Sequence, residues 1–301
     1  MSNLASSVSE SIAATVEAAG KSVVRIEAGG DCCGGGAATG VAFADGVVVA
    51  AAHAVEDDDE VEVGLPDGRT ATARVAGRDR AVDLAVLRVE APGLAPAAWA
   101  EADALKVGQL AVAVARPGRS VRAALGIVSV HGGDWRTPGG ARVERYLETD
   151  IDLPRGFSGS LLVDLGGRAI GLNTRGLVRD RSIALPAVTV RRVTASILAN
   201  GRNERGFLGI GAHPVRLPPA LAHATGQESA LLVAGLSVGG PAEKAGILLG
   251  DILLSLHGSA VRTIGELYAL LDEERVGIAS TARIVRAGEV RDVPITVGAR
   301  P

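Results

Sequence analysis

The chain contains 301 residues, of which 47% are hydrophobic and only 2% aromatic, and it carries a formal net charge of −3. This length is sufficient for two domains, and a core built from Val, Leu, Ile and Ala favours β-sheet packing. Because the net charge is small and the sequence has no basic run, we expect neither nucleic acid nor an anionic membrane as a partner. No segment provides the roughly 20 continuous apolar residues of a membrane-spanning helix, so we expect no membrane anchor.

The first 20 residues predict a short amphipathic helix, because apolar residues recur there at helical spacing: Leu4, Val8, Ile12 and Val16. This stretch has neither an early basic residue nor a long apolar block, so it does not match a secretory signal peptide. We therefore expect a cytoplasmic protein. The alternative is an exported, periplasmic protein whose sequence is a processed form.

The two cysteines, Cys32 and Cys33, are adjacent. Neighbouring cysteines can close only a strained ring, so a disulfide between them is unfavourable, and no zinc-like ligand spacing accompanies them. We interpret them as free thiols in a reducing compartment, with a redox role as the alternative. We expect no metal and no other cofactor.

Residues 21–200 predict a first domain made of about a dozen short strands. The predicted strands are Ser22–Glu27, Gly40–Phe43, Gly46–Ala51, Glu60–Leu65, Ala71–Ala76, Asp83–Val89, Leu110–Ala115, Ala124–Val130, Val143–Thr149, Ser160–Asp164, Ala169–Asn173 and Ser182–Leu185. Many short strands without long helices favour paired sheets or barrels over a parallel sheet. Helical spacing then runs from Ala187 to Asn200, and Gly201 ends it.

A polar linker over residues 201–205 separates this domain from a second one over residues 206–301. Two short helices are predicted in the second domain. Pro241–Gly246 opens with a proline suited to a first helical turn. Thr263 and Glu266 have the spacing of a capping box at the start of the other helix.

Ser158 lies among glycines, Gly156 and Gly159, directly before an apolar stretch. A serine nucleophile needs an exposed hydroxyl on a sharp turn, with backbone N–H groups aimed at the developing oxyanion, and glycines permit such a turn. Alone this pattern is weak evidence, because similar strings are common in surface loops. However, His53 follows an apolar strand and Asp83 lies in a second apolar run. The chain order His, Asp, Ser is that of a chymotrypsin-type triad.

In this interpretation, Ser158 attacks the scissile carbonyl, His53 carries the proton to the leaving amine, and Asp83 accepts a hydrogen bond from His53. The N–H groups of Gly156 and Ser158 form the oxyanion hole. The structural alternatives are a histidine satisfied at a strand end and an aspartate that faces solvent at a strand start. Asp79 is the nearest rival to Asp83, and we interpret it as a turn cap.

Several segments resemble the HtrA/Deg family of serine proteases, in which a protease domain is followed by a PDZ domain. These segments are Gly36–Val41, Ala51–Val55, Asp79–Leu87, Thr149–Asp150 and Gly156–Gly159. The resemblance covers nearly the whole chain and implies a mainly β protein, with a chymotrypsin-like double β-barrel followed by a small PDZ domain. It assigns His53, Asp83 and Ser158 to the triad and implies an ATP-independent endopeptidase acting on unfolded or damaged proteins. It also implies a homo-oligomer. Members of the family usually form trimers through aromatic residues near the N-terminus, so a trimer is expected, although no aromatic residue precedes Phe43 in this sequence.

Within the second domain, Arg205–Ile210 resembles the carboxylate-binding loop of these PDZ domains. The resemblance implies that Phe207, Leu208, Gly209 and Ile210 bind the C-terminal peptide of a partner, which adds to a sheet edge. Two glycine-containing segments match further landmarks of the domain: Gly239–Gly246 and Gly250–Leu253. The structural alternative is an ordinary first strand with a glycine bulge.

The sequence departs from the family pattern beside the serine, where Phe157 replaces an asparagine and Ser160 replaces a glycine. We interpret Ser160 as structural. The expected specificity pocket is lined by Leu153, Phe157, Asn173, Ile183 and Leu185, which predicts cleavage after small or medium aliphatic residues. Phe157 and Ser160 keep open a second function, a proteolytically silent peptide-binding chaperone or adaptor. A regulatory protease with one membrane-anchored substrate is a third, weaker hypothesis.

Overall fold

A computed structural model describes residues 2–27, 38–55, 58–100, 105–178, 181–203, 206–271 and 275–299. Cys32, Cys33 and Arg205 lie outside the described residues. The chain divides into two compact units, Met1–Asn203 and Glu204–Pro301. This division falls inside the predicted linker.

Helix α1 spans Ser2–Gly20, as the apolar spacing predicted. Its residues Ile12 and Val16 pack against the core of the first unit. The hydroxyl of Thr15 donates to the carbonyl of Leu165 over 3.2 Å. The apolar face and this hydrogen bond attach the helix to the rest of the unit. None of the helices in the described ranges is long and apolar enough to cross a membrane.

The first six strands form a closed antiparallel barrel in the order β1-β2-β3-β6-β5-β4. These strands are β1 (Val23–Glu27), β2 (Ala38–Ala44), β3 (Val47–Ala50), β4 (Glu60–Gly64), β5 (Thr70–Asp79) and β6 (Leu84–Val89). All of β3 is buried. Alternate side chains of β3 point into this barrel and towards the second barrel, so both faces of the strand must be apolar.

Six further strands close a second barrel in the order β11-β14-β13-β12-β7-β8. These are β7 (Leu110–Ala115), β8 (Arg122–His131), β11 (Leu147–Thr149), β12 (Leu161–Asp164), β13 (Ala169–Thr174) and β14 (Ile183–Pro186). A small hairpin of β9 (Trp135–Arg136) and β10 (Arg142–Val143) lies between β8 and β11. The predicted strand Val143–Thr149 is therefore two separate strands.

Helix α2 covers Ala187–Asn200 and ends at Gly201, which has the left-handed φ of 72°. The helix packs on a cluster of buried residues that both barrels share. We call this cluster the inter-barrel core; it includes Val23, Val41, Val47, Val49, Val112, Val114, Leu161, Leu172, Val190, Val193 and Ile197. The predicted double barrel is confirmed, and its largest apolar cluster lies where the two barrels meet.

The second unit is a sheet in the order β16-β17-β18-β20-β21, with β16 at one edge. Its strands are β15 (Gly206–Phe207), β16 (Ile210–Arg216), β17 (Ser229–Leu236), β18 (Ile252–Leu256), β19 (Ser259–Ala260), β20 (Ala279–Arg286), β21 (Glu289–Thr296) and β22 (Gly298–Ala299). Its helices are α3 (Pro219–Thr225), α4 (Pro241–Lys244) and α5 (Ile264–Ala269). Helix α3 was not predicted from the sequence.

The capping box at the start of α5 is confirmed. The Glu266 N–H donates to the Thr263 hydroxyl over 3.1 Å, and the Glu266 carboxylate accepts from the Thr263 N–H over 3.2 Å. Elsewhere in this unit, an ion pair joins the buried Asp251 to the partly exposed Arg286, with distances of 2.6 and 2.8 Å. Burial alone would raise the pKa of Asp251, but hydrogen bonds from the Arg286 guanidinium and the Leu248 N–H outweigh it and hold that pKa below its ordinary value.

Candidate active site

His53 lies in a short 3-10 turn, Ala52–Val55, that follows β3 at the edge of the first barrel. Two backbone hydrogen bonds fix this turn to Asp83. The Ala52 N–H donates to the Asp83 carbonyl over 3.2 Å, and the His53 N–H donates to Asp83 Oδ1 over 2.9 Å. The imidazole keeps 30% of its surface exposed. The ring is therefore fixed at its base and accessible at its outer side.

The sequence predicted that Asp83 begins a strand, but β6 begins at Leu84. Asp83 lies in the turn before it, with a φ of 57°. This left-handed conformation is uncommon for residues other than glycine, although aspartate adopts it more readily than most. The residue is 4% exposed, and its carboxylate is surrounded by donors. Oδ2 lies 2.7 Å from His53 Nδ1 and also accepts from the Thr174 hydroxyl.

This arrangement determines the tautomer of His53. A carboxylate accepts hydrogen bonds only, so Nδ1 must carry the proton that it shares with Asp83. In the neutral imidazole, Nε2 is then the acceptor. His53 is thereby prepared to take a proton at Nε2, and Asp83 stabilises the positive charge that results.

Thr174 and Gly176 complete the surroundings of this pair, and sequence reasoning did not single out either one. The Thr174 hydroxyl accepts from the Gly176 N–H over 3.0 Å while it donates to Asp83. A Cβ at position 176 would lie 2.4 Å from Asp83 Oδ2 and 2.9 Å from His53 Nδ1. A buried carboxylate such as that of Asp83 needs several hydrogen-bond donors, and this need was the signal that a further donor lies nearby. The spacing of residues along the chain did not show that Thr174 is that donor.

Ser158 lies in a tight turn between β11 and β12, 7% exposed, with Gly156 and Gly159 at φ values of 84° and 81°. The Gly159 N–H donates to the carbonyl of Asn173 over 2.8 Å. A Cβ on Gly159 would lie 2.0 Å from the Thr39 carbonyl and 3.1 Å from the Ala51 nitrogen. The serine turn therefore packs directly against the segment that carries His53.

The end of β13 connects the three predicted triad residues. Asn173 holds the serine turn by its backbone, and the next residue, Thr174, binds Asp83. Ala51, which is close to the serine turn, precedes His53 by two positions. His53 and Asp83 come from the first barrel and Ser158 from the second, so the candidate site lies where the barrels meet.

The backbone around Ser158 leaves donors available. The Phe157 carbonyl accepts from the Ser160 N–H over 3.0 Å. Because the C=O and N–H of one peptide unit point in opposite directions, the Ser158 N–H is directed away from this bond. Within the described parts of the chain, the N–H groups of Gly156 and Ser158 have no acceptor in the protein. They are the two donors that were predicted to form an oxyanion hole.

The contacts of Ser160 and Asp79 agree with their interpretation as a structural residue and a turn cap. The Ser160 hydroxyl, fully buried, accepts from the Asn173 side-chain amide over 2.9 Å. Asp79 Oδ1 accepts from the N–H of Ala81 over 2.9 Å, as a turn cap does, and Oδ2 accepts from the Asn203 amide over 2.6 Å. Neither residue faces His53 in these contacts.

The five residues of the predicted specificity pocket are all buried, and their apolar side chains divide between two clusters. Leu153 and Phe157 pack in the interior of the second barrel. Ile183 and Leu185 belong to the inter-barrel core, because alternate residues of β14 face opposite sides. Asn173 is bound to Ser160. Phe157, which is 1% exposed, fills the barrel core instead of narrowing an open pocket.

A polar cleft of about 600 Å³ lies beside this region, lined by Asp152, Leu153, Arg175, Gly176, Val178, Arg181 and Ser182. Arg175 Nη1 donates to the carbonyl of Leu153 over 3.0 Å. The side chain of Arg175 therefore connects the segment after β13 to the segment that leads to Ser158. The cleft is more polar than the aliphatic pocket that the sequence predicted.

In the second unit, the predicted peptide-binding residues lie at the edge of the sheet. Leu208 is 2% exposed and part of the core, whereas Gly209 has a φ of 76°. The carbonyls of Leu208 and Gly209 accept from Ala242 and Ser237, each over 2.8 Å. In the residues that the structure covers, the N–H groups of Leu208 and Gly209 have no acceptor. Ile210 begins β16, which among the described strands is the edge strand of the sheet and pairs only with β17.

Comparisons with known proteins agree with this architecture. Residues 38–172 match the trypsin-like peptidase domain family, and residues 232–278 match the PDZ domain family. Relatives include proteins named "Probable periplasmic serine endoprotease DegP-like". The one from Chlamydia trachomatis is 30% identical over 84% of this chain and 52% of its own length. The one from Halomonas elongata is 32% identical over 85% of this chain and 55% of its own length. The chain spans about half the length of these curated relatives.

Solved structures match over more of their length. The HtrA-type protease AlgW with a decapeptide is 28% identical, with a TM-score of 0.70, over 88% of this chain and 83% of that one. The serine endoprotease from Yersinia pestis is 25% identical, with a TM-score of 0.73, over 95% and 97% of the two chains. Along most of its length the chain is therefore similar to HtrA-type proteases, with a match to the trypsin-like peptidase domain followed by a match to the PDZ domain.

Proposed function

We propose that this protein is an ATP-independent serine endopeptidase that cleaves unfolded or damaged proteins, with His53, Asp83 and Ser158 as its triad. One observation carries the proposal: Asp83 binds His53 Nδ1 at 2.7 Å, while β13 holds both Asp83 and the turn of Ser158. The double-barrel fold and the similarity to DegP-like and HtrA-type proteases support the same reaction.

The geometry supports a stepwise acyl transfer. His53 Nε2 takes the proton of the Ser158 hydroxyl as Oγ bonds to the scissile carbonyl carbon. The carbonyl oxygen becomes an oxyanion, which accepts hydrogen bonds from the free N–H groups of Gly156 and Ser158. The protonated His53 then gives its proton to the leaving amine. A water molecule repeats the sequence on the acyl-enzyme and restores Ser158.

The test is digestion of β-casein by the wild type and by the Ser158→Ala variant, together with labelling by a fluorophosphonate probe. We expect the wild type to degrade casein and to carry the label on Ser158, and Ser158→Ala to do neither. Ser160→Ala serves as the matched control and keeps the label on Ser158, since its hydroxyl binds Asn173. If the wild type leaves casein intact and takes no label under several conditions, the silent chaperone or adaptor is the correct alternative.

We propose that the second unit binds the C-terminal carboxylate of a peptide at Leu208 and Gly209, with the peptide adding to β16. The edge strand and the free N–H groups support this mode. Titration with a peptide that ends in a free carboxylate, against the same peptide with a C-terminal amide, tests it by fluorescence anisotropy. Equal affinity for both peptides would contradict the role of the carboxylate.

The remaining predictions concern the organisation of the protein. We propose residues 1–20 as an N-terminal helical segment, 21–200 as the protease domain, 201–205 as the linker and 206–301 as the PDZ domain. We further propose a homo-oligomer, with a trimer as the size that analytical ultracentrifugation should return. The names of the curated relatives support the exported, periplasmic alternative over the cytoplasmic expectation. Fractionation of the source cells decides between the two compartments.

A further inference from the structure

Thr39 lies in β2, in the first barrel, and contacts the turn that carries Ser158. It is fully buried. Its N–H donates to the carbonyl of Ser158 over 3.2 Å, and its hydroxyl donates to the carbonyl of Gly156 over 2.8 Å. A single residue therefore holds the carbonyls of both residues whose N–H groups face the proposed oxyanion.

The direction of the hydroxyl bond follows from a third contact. The backbone N–H of Arg116 donates to Thr39 Oγ1 over 3.1 Å. An N–H group can only donate, so Oγ1 is the acceptor in that bond and its own hydrogen remains for Gly156. The Thr39 hydroxyl thus has one hydrogen and one acceptor for it.

Arg116, which supports Thr39, is itself held firmly. Its guanidinium donates to the carbonyls of Gly20, Val23 and Arg119 over 2.8 to 2.9 Å. The residue is 7% exposed. These bonds fix the position of the Arg116 backbone, and with it the position of the hydroxyl that contacts the serine turn.

A fixed carbonyl at Gly156 matters because glycine has the largest backbone freedom of all residues. Gly156 has a φ of 84°, and a rotation of its neighbouring peptide units would turn its N–H away from the oxyanion. The Gly156 carbonyl and N–H belong to the two peptide units that meet at its Cα, so the hydrogen bond from Thr39 anchors one unit and restrains the other through that shared atom. Donors that are oriented before the reaction stabilise an oxyanion more than donors that must first reorient.

We propose that Thr39 is a positioning residue for the oxyanion hole, which acts through the carbonyls of Gly156 and Ser158 without contact to the substrate. The proposal rests on the proposed protease function. A buried threonine can also serve packing alone, and the two roles differ in which part of the side chain they need. Positioning needs the hydroxyl, whereas packing needs the methyl group and the volume.

Two variants separate these roles. Thr39→Val keeps the shape and removes the hydroxyl, and Thr39→Ser keeps the hydroxyl and removes the methyl group. We expect Thr39→Val to lower kcat on a peptide substrate by about 10- to 100-fold, less than the roughly 10²- to 10³-fold effect of losing an oxyanion donor outright. We expect KM to stay within twofold, because the ground-state carbonyl makes little use of the hole. Thr39→Ser should retain activity within about threefold.

A second measurement reports the hole directly. A peptide aldehyde forms an adduct with a developed oxyanion, so its affinity should fall in Thr39→Val by the same factor as kcat. Binding of the matching peptide alcohol, which forms no oxyanion, should stay unchanged. Thermal melting must show that each variant is folded. If Thr39→Val does not fold, Thr39→Ala and Thr39→Ser are compared instead, since they differ only in the hydroxyl.

The outcomes are distinct. Equal kcat in the wild type and Thr39→Val, or a larger loss in Thr39→Ser than in Thr39→Val, would overturn the positioning role. A wild type without Ser158-dependent cleavage or labelling would instead overturn the proposed function. Loss of kcat with an unchanged aldehyde affinity would also refute the inference, because the oxyanion hole would then be intact.

Discussion

Gly176→Ala is expected to inactivate the protein without unfolding it. The added Cβ would lie 2.4 Å from Asp83 Oδ2 and 2.9 Å from His53 Nδ1. The first distance is about 1 Å short of ordinary contact, which begins at 3.4 Å. Gly176 does not have a left-handed φ, so alanine strains no backbone there. The expected effect comes from displacement of the His53–Asp83 pair alone.

A displacement of about 1 Å in a catalytic group lowers the rate by roughly 100-fold, which corresponds to about 2.7 kcal/mol in activation free energy. The assay is steady-state cleavage of a peptide substrate, with kcat and KM measured separately and the folded state followed by circular dichroism. Gly133→Ala is the matched control, because its Cβ would meet nothing within 4 Å. If Gly176→Ala cleaves as fast as the Gly133→Ala control, the close approach has no role in catalysis and the reasoning is refuted.

Three further substitutions test other parts of the structure. Thr174→Val removes a donor to the Asp83 carboxylate, and we expect about a tenfold loss in kcat with little change in KM in the same peptide assay. Gly209→Ala places a side chain at a φ of 76°, and we expect peptide affinity in the anisotropy titration to fall at least tenfold while cleavage of a short peptide persists. Arg286→Met leaves a buried carboxylate without its cation and should lower stability by about 3 kcal/mol at pH 7. Because the folded pKa of Asp251 is depressed, this difference should persist above its unfolded pKa and shrink as pH falls towards 3 in thermal melts.

Local features were predictable from the sequence because they depend on local physics. The helix Ala187–Asn200 has the predicted bounds, and the capping box of Thr263 is present with both of its hydrogen bonds. The three residues of the proposed triad were singled out because His53 follows an apolar strand, Asp83 lies in an apolar run and Ser158 precedes an apolar stretch. Turns and strand ends of this kind leave a clear signal in composition and order.

Other features depend on contacts between distant residues. Asp83 leaves the strand because its carboxylate binds His53 and Thr174, and this overrides the strand pattern around it. Gly176 is recognisable only when the distance to Asp83 is known. The predicted pocket combines Phe157 with Ile183, whose side chains lie in different apolar clusters, because strand geometry and barrel closure decide which face each side chain takes.

The inter-barrel core has a consequence for folding of the chain during its synthesis. Its buried residues come from both barrels and from α2, which lies near the end of the first unit. Neither barrel can bury these side chains alone. Each barrel would therefore expose an aggregation-prone apolar surface until the two barrels dock. The proposed nucleophile and its base are joined by that same docking event. A nascent chain that has released only its first half therefore lacks the proposed nucleophile, and the proposed activity arises only together with the mature fold.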